Sequence, residues 1–289
     1  VVLHYKAPAK INWFIYVTSK RDDGYHDLLS VMQSVSLYDE LTVEPAGTIE
    51  VVTEMNIPTE DNLVFKAASL LSSHTGCKKG ARIHLKKVIP TEAGLGGGSS
   101  DCACTLIALN SLWGLGLTAG QLMELGARLG SDVPFFVGAT CAFVSGRGEI
   151  VTPMQSTTPW DILIIKPPFS ISTAWAYQKL RAFTSCASLN HPSDHIGKRL
   201  CNALNNKDIK ALIPLMRNDI QEAIQGDYPM IGELRSYLLE QGAVAAMLSG
   251  SGSAVFGVFG DPKKARSAQH TLEYLPAGCR GFLVTTLTN

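Results

Sequence analysis

The run Ile89-Pro90-Thr91-Glu92-Ala93-Gly94-Leu95-Gly96-Gly97-Gly98-Ser99-Ser100-Asp101 constrains this chain more than any other. Before it, residues 81–85 alternate with the two-residue period of a strand. After it, Ala103, Leu106, Ile107 and the 110–113 stretch recur at helical spacing. The glycines therefore form a strand-to-helix turn. Glycine lets backbone N–H groups approach an anion closely, and the first turn of a helix offers unpaired donors at the positive end of its dipole. The segment is a physically sound phosphate cradle, although a glycine run by itself is also compatible with a tight loop or a packing contact.

At 289 residues with 46% hydrophobic content, the chain can bury a full core and fits one large domain or two modest ones. Strand patterns at 10–17, 41–44, 49–53 and 81–85 are joined by helical patterns at 62–72, 100–113 and 119–129, with Gly130 as the expected stop of the last. The polar, Thr/Ser/Pro-containing stretch 153–159 marks a boundary, giving an expected division into 1–155 and 156–289. Beyond it come strands at 161–166, 243–248, 254–259 and 281–287 and helices at 229–241 and 262–275. With the intervening helical insertion set aside, that order is the split βαβ pattern of ferredoxin-like domains. The expected fold class is α+β, in two domains.

Four further segments carry candidate chemistry. In the strand Lys10-Ile11-Asn12-Trp13-Phe14-Ile15-Tyr16-Val17, period two places Lys10 and Asn12 on one face, together with Phe14 and Tyr16. That face is either solvated or a partly covered polar site. Asp22-Asp23-Gly24-Tyr25-His26 is either an ordinary tight turn or a holder for a flat polar ring, with Tyr25 as the plane and His26 as the hydrogen-bonding edge. In Gly130-Ser131-Asp132-Val133-Pro134, Asp132 is either an N-cap or the base that a kinase uses to orient and deprotonate a hydroxyl. Ser249-Gly250-Ser251-Gly252-Ser253 joins two strand patterns and is either a hairpin connection or a backbone wall against a ligand.

Other classes are disfavoured. The 25 basic and 25 acidic residues balance, so neither nucleic acid nor a membrane surface is an expected partner, and no apolar run reaches the roughly 20 residues of a spanning helix. Seven cysteines without a CxxC pair read as reduced, mostly buried thiols. With no signal-peptide pattern, the expected location is cytoplasmic: a bacterial cytoplasm, or a plastid after removal of a transit peptide. The chain begins at Val1 rather than Met, so a few leading residues are expected to be missing. Nothing in the sequence specifies an oligomeric state. Walker, protein-kinase, HExxH and GxSxG signatures are absent from the sequence, and no histidine is associated with the glycine run that would make Ser99 an acyl-transfer nucleophile.

The Pro8-Ala9-Lys10-Ile11-Asn12 segment, the 89–101 run and Ser249-Gly250-Ser251-Gly252-Ser253-Ala254-Val255-Phe256, in that order, resemble the GHMP kinases over nearly the whole chain. The resemblance implies a ribosomal-protein-S5-like N-terminal nucleotide domain and a ferredoxin-like C-terminal domain. Lys10-Ile11-Asn12, the Lys20 to His26 segment and the Asp132 motif are most similar to the branch that phosphorylates, with ATP, the 2-hydroxyl of a cytidine-diphosphate-linked methylerythritol in the non-mevalonate route to isoprenoids. The alternatives are another small-molecule GHMP kinase or a non-catalytic binding protein of this fold. By match to the family's motifs, Asp132 receives the hydroxyl proton and Lys10 orients it, while Asn12, Tyr25, His26 and Tyr177 contact the substrate. Tyr25 and Tyr177 would sandwich the cytosine. The resemblance assigns Asn62, Lys87, Pro90, Thr91, Glu92, Ala93, Gly94, Leu95, Gly96, Gly97, Gly98, Ser99 and Ser100 to ATP, and implies Mg2+ held with help from Ser99 or Ser100. Glu92 departs from the small or apolar residues usual there, and its carboxylate would repel a triphosphate unless it points to solvent.

Overall fold

The structure, a computed structural model, describes residues 2–183 and 195–289. The first part of the chain forms β1 (Leu3–Lys20), β2 (His26–Ala46), β3 (Ile49–Thr53), α1 (Leu63–Thr75), β4 (Gly80–Lys86), α2 (Gly97–Trp113), α3 (Ala119–Ala127), α4 (Val133–Gly138), β5 (Cys141–Ser145) and β6 (Ile150–Pro153). Then follow β7 (Asp161–Lys166), α5 (Thr173–Phe183), α6 (His195–Asn205), α7 (Ile209–Leu212), β8 (Arg217–Asn218), α8 (Asp219–Ile224), α9 (Pro229–Glu240), β9 (Ala245–Leu248), β10 (Val255–Phe259), α10 (Pro262–His270) and β11 (Arg280–Thr285).

The long antiparallel β1–β2 hairpin is the spine of a seven-stranded sheet of order β3-β4-β2-β1-β8. The other edge of β2 is shared: β5 pairs with it at Ser30–Gln33, and β4 at Glu40–Ala46. The second sheet has the order β11-β7-β10-β9, antiparallel throughout. It is the split βαβ arrangement that the sequence order predicts, with α6, α7, β8 and α8 inserted. The chain passes from the first sheet to the second between Pro153 and Asp161, yet β8 returns to pair in parallel with β1 at Phe14 and Ile15. One apolar core, built on Trp13, Trp160 and Phe256, joins the two sheets. The Trp13 ring meets the other two edge-on at 6.3 and 6.1 Å, contacts worth about 0.5–1.5 kcal/mol each beyond the area they bury.

One local irregularity corrects the expected face of β1. The pairing shifts between Asn12 and Phe14, which oppose the adjacent residues Met32 and Val31. This bulge at Trp13 reverses the alternation beyond it. Phe14 and Tyr16 therefore pack with Ile11 and Trp13 in the inter-sheet core, and Ile15 is the residue that shares the cavity side with Lys10 and Asn12.

Helix boundaries also differ from the periodicity. α2 begins at Gly97, with Gly96 in the left-handed region (φ 70°), so three residues read as loop are its first turn. α3 stops at Ala127 with a right-handed Arg128 cap, three residues before Gly130, whose amide donates back to the Gly126 carbonyl in the last turn.

Candidate active site

A cavity of ≈1080 Å³ opens between the two halves of the chain, lined by β1, the 90–96 loop, the start of α2, Asp132, the Asp23 to His26 turn, the start of α5 and the Gly250–Ser251 tip. At its centre Lys10 is almost fully buried and donates from Nζ to Asn12 Oδ1 at 2.6 Å. Asn12 Nδ2 donates in turn to Ser30 Oγ at 2.9 Å, and that hydroxyl donates to the Phe14 carbonyl at 2.5 Å. The relay fixes the orientation of the Asn12 amide, oxygen towards the lysine. Asp132 Oδ2 lies 3.8 Å from Lys10 Nζ. Burial pulls the Lys10 pKa below its ordinary value, and the neighbouring Asp132 charge opposes that shift. Asp132 occupies the residue before α4 in a right-handed conformation without capping the helix; its side chain points to Lys10 instead. The Asp132 side chain is therefore not an N-cap of α4.

The glycine loop is held on both sides. The Lys10 amide donates to the Leu95 carbonyl at 2.9 Å, and Ser249 Oγ donates to the Gly94 carbonyl at 3.0 Å. Gly94 has φ 73°, and a Cβ there would fall 1.9 Å from the Ser249 carbonyl oxygen, so the two glycine-rich turns touch backbone to backbone. The 249–253 segment is thus a wall of the site, not a free hairpin. α2 follows with its first-turn amides facing the cavity end of the helix, where they have no intrahelical acceptor. Asn62, Lys87, the residues from Pro90 to Gly98 and Ser99 all line the cavity. Ser100 is not among the lining residues: it is fully buried, its amide is bonded to the Gly96 carbonyl, and its hydroxyl has no hydrogen-bond partner. Glu92 is exposed at φ 48°, and the nearby Lys166 feels its charge.

His26 is buried and its ring faces Tyr177 at 5.4 Å with a 30° tilt. Burial, reinforced by the Asp132 charge, raises the Tyr177 pKa, so its phenol stays neutral. Tyr25 is half exposed, and the Arg147 guanidinium lies 4.7 Å over its ring. Tyr25, His26 and Tyr177 therefore all line the cavity, with Tyr177 resting on His26.

Family models described as the GHMP kinases N terminal domain and the GHMP kinases C terminal match residues 62–139 and 202–276. The chain is 44% identical to a 4-diphosphocytidyl-2-C-methyl-D-erythritol kinase from Thermodesulfovibrio yellowstonii over 91% of this chain and 92% of that one. It belongs to that kinase family. A Synechococcus member is 39% identical, over 92% of this chain and 88% of its own. A crystal structure of 4-(cytidine 5'-diphospho)-2C-methyl-D-erythritol kinase superposes with a TM-score of 0.83 at 32% identity, covering 99% of this chain and 100% of that one. A homoserine kinase from Cytophaga hutchinsonii, at 17% identity and a TM-score of 0.75 over 100% and 95% of the two chains, shares the fold. As a member of the family the protein is a small-molecule phosphotransferase with ATP as donor.

Two of the residues that the resemblance assigns to the nucleotide are already engaged within the protein. Asn62 Oδ1 caps α1 by accepting the Val64 amide at 2.9 Å, which leaves its Nδ2 for a ligand. Lys87 Nζ donates to Asp39 and, at 2.7 Å, to Asp101 Oδ2. Asp39 Oδ1 also accepts the amides of Val88 and Ile89, so the cluster anchors the entry to the glycine loop. Burial, with the Asp39 charge adding and Lys87 opposing, pushes the Asp101 carboxyl up to about 7. The reading from motifs gave Asp39, Asp101 and Arg147 no role. Asp101 ends the glycine run and was open to notice; Asp39 and Arg147 lie in strand and hairpin sequence with no local signature. Among the described residues no group of three or more His, Cys, Asp or Glu is placed to hold a metal ion, and no helix is long and apolar enough to cross a membrane.

Proposed function

We propose that the protein transfers the γ-phosphoryl group of ATP to the 2-hydroxyl of 4-diphosphocytidyl-2-C-methyl-D-erythritol, a step in the non-mevalonate route to isoprenoids, in a bacterial cytoplasm. The observation that carries this reading is the Lys10–Asn12–Asp132 cluster, its lysine and asparagine buried and its aspartate partly exposed, in one cavity with the α2 N-terminus, His26 and Tyr177. A triphosphate over the first turn of α2 meets N–H donors and a positive dipole end. The acceptor hydroxyl lies between Lys10 and Asp132. Its oxygen forms the new bond to the γ-phosphorus as the bond to the β-bridging oxygen breaks; ADP leaves and the hydroxyl proton passes to Asp132. Lys10 offsets the charge developing on the transferring group.

The donor set suits Mg2+ carried in by ATP: with no carboxylate cage among the described residues, the phosphates would supply most of its ligands and Ser99, which lines the cavity, would supply a hydroxyl. When bound, the ion would neutralise phosphate charge. The substrate's diphosphate also needs a cation. Of the basic side chains lining the cavity, Lys10 serves the reacting hydroxyl and Lys87 is bonded to two carboxylates, which leaves Arg147 for the diphosphate. Cytosine sits among Tyr25, His26 and Tyr177.

The test is ADP release by the purified protein with ATP and Mg2+ over a panel of alcohols. Turnover confined to the cytidyl substrate is the expected result. Equal or better use of homoserine, mevalonate or galactose overturns the substrate, and absence of turnover on every alcohol overturns the catalytic reading.

A further inference from the structure

We propose that Asn218, on the two-residue strand β8, is a positioning residue that sets the place of the Lys10 ammonium by holding Gly250 against it. Asn218 is 2% exposed and lies outside the lining of the main cavity, so it touches neither substrate. Its side chain is nonetheless fully used. Nδ2 donates to the Leu248 carbonyl at 3.0 Å and to the Gly250 carbonyl at 2.9 Å, while Oδ1 accepts the amides of Ile220 at 3.0 Å and Gln221 at 3.3 Å. These four bonds match the donor and acceptor capacity of a primary amide.

The bonds to the two carbonyls reach the site. Gly250, at φ 56°, stands so close to the reacting cluster that a Cβ on it would lie 3.0 Å from Lys10 Nζ and 2.9 Å from the Gly94 carbonyl oxygen. Lys10 is thus fixed on one side by Asn12 of its own strand and abutted on the other by this turn. Ser249 Oγ on the Gly94 carbonyl, and the Ala254 amide on the Ala93 carbonyl, secure the ends of the turn against the phosphate loop. Asn218 secures its tip.

The other end of the lever is equally firm. The Asn218 main chain pairs with Ile15 of β1, just past the Trp13 bulge, and the neighbouring Asp219 accepts the Val17 amide at 2.9 Å. Gln221 Oε1 accepts the Leu248 amide at 2.9 Å. One short segment from the second half of the chain therefore references the 249–253 turn to the strand that carries Lys10 and Asn12.

The inference rests on the reading of Lys10 given above, and the experiment separates the two. Wild type, Lys10→Ala, Asn218→Ser, Gly250→Ala and the Asn218→Ser/Gly250→Ala double variant are compared for kcat, both KM values and Tm. Serine retains an oxygen to cap α8 while losing the donors to Leu248 and Gly250. A displacement of about 1 Å at a reacting group costs on the order of 10²-fold. Asn218→Ser is expected to lower kcat by at least about 10-fold and leave the KM for ATP and for the cytidyl substrate within about three-fold. The double variant should lose less than the product of the two single losses, because both act on one contact. Unchanged kcat in folded Asn218→Ser, a parallel rise of both KM values with kcat intact, or multiplicative losses in the double variant overturns the proposal. Should Asn218→Ser not fold, Gly250→Ala reports on the same contact, and normal kcat there overturns it as well. Near-normal kcat in Lys10→Ala would instead remove Lys10 from the mechanism, a result distinguishable from any of these.

Discussion

Gly94→Ala probes the meeting of the two glycine-rich turns. An added Cβ would sit 1.9 Å from the Ser249 carbonyl oxygen and 2.9 Å from the Gly252 nitrogen, both backbone atoms that no rotamer change can move. Restoring an ordinary carbon–oxygen contact requires the turns to separate by roughly 1.4 Å. The left-handed conformation adds roughly 1–2 kcal/mol for any residue with a Cβ. The Ser249 Oγ bond to the Gly94 carbonyl would stretch or break, at a cost of about 1 kcal/mol. Because Lys10 donates its amide to Leu95 and abuts Gly250, that separation falls on the reacting cluster, and a shift of this size is expected to cost on the order of 10²-fold in kcat. Gly76→Ala is the control: Gly76 also has a left-handed φ of 69°, but an added Cβ meets nothing within 4 Å. It should lose stability of about 1–2 kcal/mol with kcat unchanged. The assay is coupled ADP release at a temperature where circular dichroism shows both variants folded, with Tm measured alongside. A Gly94→Ala enzyme that keeps kcat within about three-fold of wild type, or that matches Gly76→Ala in both readouts, would refute the claim that contact between the turns places the lysine.

Tyr177→Ala should raise the KM for the cytidyl substrate about ten-fold or more and leave ATP affinity near normal, since ring stacking on a base contributes about 1–3 kcal/mol; equal defects for both substrates in steady-state kinetics would contradict it. His26→Ala should weaken discrimination between cytidine and uridine forms, read as the ratio of kcat/KM values, and an unchanged ratio would remove His26 from base recognition. Lys87→Met leaves Asp39 and Asp101 facing each other without their cation, so chemical denaturation should reveal a loss of about 3–5 kcal/mol; a loss below about 1 kcal/mol would mean that the cluster contributes little. Asp101 gives the pH dependence. Its carboxyl is raised in the folded protein to about 7 from an ordinary value near 3.8, so the folded state binds the extra proton between those values. The stability it contributes is present below the lower value and is lost as pH rises through the upper one. Asp101→Asn should therefore gain Tm relative to wild type as pH increases from about 4 to 7, and a relative loss over that range would show that the Lys87 pair outweighs burial.

What the sequence disclosed and what it hid follow from how local each signal is. The four strands of the second sheet are short apolar runs bounded by turns, and their order alone led to the split βαβ arrangement. The glycine run disclosed the phosphate loop because its requirements, close backbone approach and a helix start, lie within a few residues of each other. β2 was legible only over 41–44, because Ser30, Gln33, Ser34 and Asp39 are polar yet buried along it, each held by structure or facing the site. The bulge at Trp13 has no signature in a strand whose two faces are both buried, and it moved Phe14 and Tyr16 off the face of Lys10. β8 is two residues long and finds its partner some two hundred residues away, so no pattern announces it. Ser99 and Ser100 are equivalent in the motif, and only the helix start distinguishes them: Ser99 lines the cavity and Ser100 is fully buried.

The central claim, that Lys10 and Asp132 act between nucleotide and acceptor in one cavity, is tested most directly by single-turnover phosphoryl transfer from ATP to the cytidyl substrate in Asp132→Asn, with ATP affinity measured on the same protein by calorimetry. Asparagine keeps the size of the side chain and removes the proton acceptor that lies 3.8 Å from Lys10 Nζ. The expected result is a transfer rate lowered roughly 10²–10⁴-fold with ATP affinity within about three-fold of wild type. Transfer at a near wild-type rate, or a loss of ATP affinity as large as the loss of rate, would contradict it.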